Sequence, residues 1–185
     1  MVFFEPWVES IGEVGVQIEV PHDDEPYIIG WTLMLVDSRG QYAGSWFKLG
    51  RKWASEDESH DWGIAADMAM KVAKRVQQIG YFGPLGIDAM RYRGRNGSIR
   101  LRPLQDINVR WTMGRLSFGF HKLASPREIA CWHHGNHNVR SRDGLSAIRL
   151  IATSPKTVGG TECGHTSRIV FSARILEDDL VDANR

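Results

Sequence analysis

The run GPLGIDAMRYRGRNGSIRLRPLQDINVR, from Gly83 to Arg110, decides how this chain folds. Its halves, 85–93 and 98–109, read as strands. Between them Gly94-Arg95-Asn96-Gly97 carries the Asn-Gly pair that supplies the positive φ a tight hairpin needs. Folding the second strand back on the first sets Asp88 beside Asp106. Side chains at i, i+2 and i+4 share one face of a strand, so Asp106, Asn108 and Arg110 form a polar row. Ile107 and Val109 then point away from it into a core. Two carboxylates, a carboxamide and a guanidinium on neighbouring strands suit a metal-bound polyphosphate. Mg²⁺ takes hard oxygen ligands and completes its octahedron with phosphates and water, and arginine is the planar fork for a phosphate oxygen. On its own, an Asp-x-Asn-x-Arg run is more often the solvated face of an edge hairpin.

Working towards the N-terminus, Ser55 with Glu58 three positions on forms a capping box. Ala65, Met68, Ala69, Val72, Ala73, Val76 and Ile79 recur at helical spacing as far as Gly80, which predicts a helix over 55–79. Residues 3–8, 14–20, 27–36 and 41–48 are rich in Val, Ile, Phe, Tyr and Trp. They are separated by Pro21-His22-Asp23-Asp24-Glu25-Pro26 and Asp37-Ser38-Arg39-Gly40, which predicts an antiparallel meander. Towards the C-terminus, 145–153 and 167–176 alternate as two further strands, with Ser154 to Gly160 as a loop. The fold class expected is α+β: an antiparallel sheet with flanking helices, in a single domain over 1–185.

Composition narrows the function. At 185 residues and 42% hydrophobic content the chain can bury a sizeable core. A net charge of +1 provides no field to gather nucleic acid or an anionic membrane. Arg91, Arg93, Arg95, Arg100 and Arg102 make a local basic hairpin, read as a solvated strand face. No apolar run approaches the roughly 20 residues that span a bilayer. The two cysteines, Cys131 and Cys163, lie far apart, and the N-terminus lacks the pattern of a signal peptide, so a cytoplasmic setting is expected.

In its order of motifs the sequence resembles the ATP-grasp superfamily. Phe3-Phe4-Glu5-Pro6-Trp7-Val8 resembles that family's hinge strand, the long helix 55–79 follows, and Gly80-Tyr81-Phe82-Gly83-Pro84-Leu85-Gly86-Ile87-Asp88 is similar to its glycine-rich entry into a metal-ligand strand. Asp106-Ile107-Asn108-Val109-Arg110 stands where the family carries Glu-x-Asn-x-Arg, with the shorter aspartate in place of glutamate, and Thr112-Met113-Gly114-Arg115-Leu116 is similar to the start of its next helix. The resemblance covers roughly residues 1–120, leaving 121–185 as an extension with two further strands. It implies ATP and Mg²⁺ as cofactors and an ADP-forming ligase joining a carboxylate to an amine or thiol. Asp88, Asp106 and Asn108 would ligate the metal, Arg110 would steady the transferred phosphoryl group, Glu5 and Val8 would receive adenine, and Glu13 would bind ribose. The helix start would lend its amides to phosphate. The family's first, lysine-bearing lobe has no counterpart here, since only Met1 and Val2 precede Phe3. The resemblance therefore implies a half-clamp, inactive alone and completed by an N-terminal lobe or a partner chain.

Two other readings stand beside it. One is a non-catalytic binding module of the same ancestry. The other is a zinc module, because Cys131-Trp132-His133-His134-Gly135-Asn136-His137 places four soft or borderline ligands within seven positions, and Cys163-Gly164-His165 adds two more.

Overall fold

A computed structural model describes residues 7–37, 39–48, 54–126, 128–135 and 149–172. A long meander opens it: β1 (Glu9–Val20), β2 (Tyr27–Val36) and β3 (Tyr42–Lys48). Helix α1 (Glu56–Gln78) leads into the hairpin β4 (Gly83–Arg93) and β5 (Ile99–Asn108). Next come a short helix α2 (Met113–Phe118), a 3₁₀ turn (Gly119–Leu123) and β6 (Ile129–His134). β7 (Arg149–Ala152), a small two-stranded hairpin of β8 (Thr157–Val158) and β9 (Thr161–Glu162), and β10 (Ser167–Ser172) complete the described elements. Eight strands pair antiparallel in one sheet, in the order β5-β4-β1-β2-β3-β6-β10-β7. The α+β class expected from the sequence is what the chain adopts. The tail strands join this same sheet through β6, which takes in Cys131 to His134 of the candidate zinc cluster.

Alternation along β1 gives the sheet two different faces. Val14, Val16, Ile18 and Val20 are fully buried, and with Leu85, Ile87 and Ala89 they pack under α1. The helix meets them with Trp62, Ala65, Ala69 and Ala73, whose spacing of three and four forms a single stripe. Small alanines let the helix lie close to the sheet. Ser55 accepts from the Glu58 amide while Glu58 receives the Ser55 amide, so both halves of the capping box form. The intervening residues of β1, namely Glu13, Gly15, Gln17 and Glu19, face the other way. That second face is covered by α2 and the 3₁₀ turn, whose Phe118 and Phe120 pack against Phe47, Trp132, Ile169 and Phe171.

Two expectations about the hairpin are corrected. Ile107 and Val109 are 41% and 47% exposed rather than in a core. β5 is an edge strand, so an apolar side chain near its end is covered on one flank only. Arg91 is not on a solvated face: it is buried, with its guanidinium 2.8 Å from Asp61 and 3.0 Å from Glu58 on α1. Because both acids keep partial access to water, Arg91→Met is expected to lower stability by about 2 kcal/mol, less than for a fully enclosed pair. Urea unfolding of the variant checks this, and an unchanged midpoint would refute it.

Candidate functional site

The β4–β5 register sets Asp88 directly opposite Asp106 and Gly86 opposite Asn108. All four share the face opposite α1. The ladder breaks just beyond, between Asp88 and Met90, where β5 carries Pro103, a residue tolerated on edge strands and at bulges. Asn108 Nδ2 donates to Asp88 Oδ2 at 3.0 Å and more loosely to Asp106 Oδ2 at 3.4 Å. The carboxamide N–H thus stands between the two carboxylates. On its other side Asn108 Oδ1 accepts from Arg110 Nη2 at 2.9 Å, and Arg110 Nη1 donates to the Trp111 carbonyl at 3.2 Å. Four of the sequence-predicted site residues, Asp88, Asp106, Asn108 and Arg110, are therefore brought together.

The charge balance of this group is unfavourable. Burial holds the Asp88 carboxyl up at about 7, the Asp106 carboxylate pushes it further in the same direction, and Glu13 adds to that. The Asn108 hydrogen bond pulls the other way, and Arg110 offsets the rise only slightly. Glu13 is itself raised by burial, partly countered by the neighbouring Ser10 side chain. Hard oxygen donors, partly desolvated, mutually repelling and short of compensating positive charge, fit a magnesium ion. Asp88 and Asp106 would hold it. Asn108 would join them through Oδ1, which in the present arrangement faces Arg110.

The remaining predicted residues fare differently. Glu13 lies on β1 near enough to Asp88 to act on it electrostatically, so it sits beside the carboxylate pair. Val8 precedes β1, five residues before Glu13 and so about 15 Å along an extended chain, and it does not join the group. Glu5 lies outside the described residues. α2 begins where expected, with Thr112 as its N-cap accepting from the Arg115 amide at 3.0 Å. At six residues it is too short to be credited with an anion site of its own. The zinc reading does not survive for the residues described. Cys131 to His134 form strand β6, which puts Cys131 and His133 on one face and His134 on the other. Among the described residues no three His, Cys, Asp or Glu side chains come together to hold a metal. His137 and Asn136 lie outside the described residues.

The sequence reading missed the floor beneath the carboxylates. Gln17 and Thr32 are buried polar residues on the same face. Thr112 Oγ1 donates to Gln17 Oε1 at 2.6 Å, and Gln17 Nε2 donates to Thr32 Oγ1 at 3.4 Å. Glycines make room for this layer. A Cβ on Gly86 would lie 2.5 Å from the Thr112 methyl, and one on Gly114 would lie 2.6 Å from both Gln17 Nε2 and Thr32 Oγ1. The polar alternation Glu13, Gly15, Gln17, Glu19 along a strand otherwise made of valine and isoleucine was the available signal.

Solved structures to which this chain is similar match nearly its whole length at low identity. N5-carboxyaminoimidazole synthetase from Staphylococcus aureus, complexed with ADP, has a TM-score of 0.48 at 12% identity, over 97% of this chain and 51% of that one. The biotin carboxylase domain of a single-chain bacterial carboxylase gives 0.47 at 10% identity, over 92% and 45%. N5-carboxyaminoimidazole ribonucleotide synthetase from Thermotoga maritima gives 0.45 at 16%, over 96% and 51%. The chain spans about half the length of each. The likeness is one of fold alone. No protein-family model matches the sequence, and no curated protein does.

Proposed function

We propose that this chain is the MgATP-binding lobe of an ADP-forming ligase of the ATP-grasp kind, one that joins a carboxylate to an amine or thiol. The observation that carries the reading is the Asp88–Asp106 pair, packed side by side on one face with Asn108 between them and too little positive charge to balance it. A divalent cation supplies that charge and, when bound, neutralises the oxygens of a polyphosphate. Asp88, Asp106 and Asn108 hold the ion. Arg110, on the exposed end of the same row, steadies the transferred phosphoryl group. Glu5 and Val8 receive adenine and Glu13 the ribose, although its place beside Asp88 also suits it to the charge balance of the metal site.

Residues 1–120 form the lobe and 121–185 its extension. A lysine-bearing lobe, in the same or a partner chain, completes the clamp and carries contacts to the carboxylate substrate. Held from one side in high dielectric, each phosphate contact contributes only about 1 kcal/mol, so the 185-residue chain binds nucleotide weakly and turns it over negligibly. Two unpaired cysteines, Cys131 and Cys163, accord with a cytoplasmic setting. Among the described residues no helix is long and apolar enough to cross a membrane.

Calorimetric titration with ADP, with and without Mg²⁺, tests this. The expected result is binding that requires Mg²⁺ and falls at least tenfold in Asp106→Asn. Nucleotide binding indifferent to both, or ATP-dependent ADP release by this chain at enzymatic rates, would contradict the proposal.

A further inference from the structure

Two runs of hydrogen bonds, joined through the Trp111–Thr112 peptide, link the buried floor to the carboxylates. The first starts at Gln17 on β1, which is 2% exposed and accepts from the Thr112 hydroxyl at 2.6 Å. Thr112 is one peptide from Trp111, whose carbonyl receives Arg110 Nη1 at 3.2 Å. The other arm of the Arg110 fork reaches Asn108 Oδ1 at 2.9 Å, and Asn108 Nδ2 ends the second run on Asp88 and Asp106. Each link fixes the next, because a guanidinium forked between two acceptors has little freedom left. Thr112 itself cannot drift. Its hydroxyl also accepts from the Arg115 amide, its methyl fills the space above Gly86, and Arg115 is held 2.6 Å from Glu19 on β1.

We propose that Gln17, acting through Thr112 and Arg110, is the positioning residue that sets the Asn108 carboxamide and with it the Asp88–Asp106 pair. The inference rests on the cation-site reading only for its consequence, the affinity for Mg²⁺; the relay itself is a claim about the protein without metal. Gln17 and Thr112 lie outside the group proposed to hold the cation. Partners of this outer kind change metal affinity by roughly 10- to 100-fold when removed.

The test uses Gln17→Leu and Thr112→Val, which delete the acceptor and the donor at nearly constant shape, with Thr112→Ser as the conservative variant that keeps the hydroxyl. Three readouts are taken on the full chain: the NMR signals of the Asn108 side-chain amide without metal, the Mg²⁺ affinity, and the urea midpoint. The expected result is that both deletions shift the Asn108 amide signals and change the Mg²⁺ affinity at least tenfold, while Thr112→Ser leaves both as in the wild type. Loss of stability with Asn108 signals and Mg²⁺ affinity unchanged would overturn the proposal, leaving the network a purely structural one. Should the wild-type chain bind no Mg²⁺, the function proposed above fails, and the amide signals still decide whether Gln17 positions Asn108. Should Thr112→Val fail to fold through loss of its cap, Gln17→Leu, which leaves that cap in place, carries the test.

Discussion

Asp88→Asn is expected to make the cation-free protein more stable above neutral pH, and to abolish its response to Mg²⁺. The folded-state carboxyl is held up at about 7 against an ordinary 3.8, first by burial and then by Asp106. Below pH 4 the group is neutral in both the folded and the unfolded chain and has no effect. As pH rises from there to about 7, the unfolded chain gives up its proton first, so this group withdraws stability progressively. Above that the loss is complete, on the order of 2–4 kcal/mol after allowing for relaxation around the site. Asparagine carries no charge at any pH and keeps an oxygen for Asn108 to donate to. Urea midpoints from pH 4 to 9 should therefore coincide for the two proteins in acid and diverge through neutrality, with the variant the more stable. A pH-independent difference would show that Asp88 is not raised. Saturating Mg²⁺ at pH 8 should stabilise the wild type and leave the variant unmoved, because a ligand shifts stability only through the state that binds it.

The second large effect is expected far from that site. Gly44 on β3 faces His133 of β6, and a Cβ there would lie 2.6 Å from the Trp132 carbonyl oxygen and 3.2 Å from the His133 Cα. Both are backbone atoms in a hydrogen-bonded ladder, so neither yields as the end of a long side chain would. Gly44→Ala should lower stability by about 3 kcal/mol, at the upper end for overpacking, because relief means parting β3 from β6. That junction joins the five strands from β5 to β3 with the three from β6 to β7. Denaturant unfolding measures the loss, and a variant with an unchanged midpoint would show that the two strands can spread at no cost.

The hairpin and long helix were legible because local chemistry dictates them. Asn96-Gly97 turns the chain with Gly97 at a φ of 78°, Ser55 and Glu58 cap the helix, and the helical stripe ends where Gly80 stands. The pairing of Asp88 with Asp106 followed from that turn. What could not be read depends on non-local partners. Strand β6 was hidden because Cys131-Trp132-His133-His134 has no apolar–polar alternation. Its residues are sorted by β3 and β10 on either side rather than by solvent. Arg91 read as a surface charge until α1 placed two acids over it. Ile107 and Val109 alternate correctly, yet each stays more than 40% exposed, and alternation reports a face without reporting what lies above it. Gln17 looked like one polar residue in an apolar strand, and its partners Thr32 and Thr112 lie 15 and 95 positions away.

The place of β5 at the sheet's edge also bears on how the chain comes together. Asp88 and Asp106 lie within one hairpin of contiguous sequence, so the loop closed to make them neighbours is short and its entropic barrier small. At the opposite edge β7 hangs on β10, and β10 on β6, which meets β3 only after the chain has returned from its far end. The β3–β6 pairing, 82 to 89 positions apart in sequence, forms late, and β7, whose residues are mostly exposed, opens first. The two carboxylates are thus expected to become neighbours before the sheet is complete and to stay so when its far edge opens. Amide protons of β4 facing β5 should accordingly outlast those of β7 in hydrogen exchange.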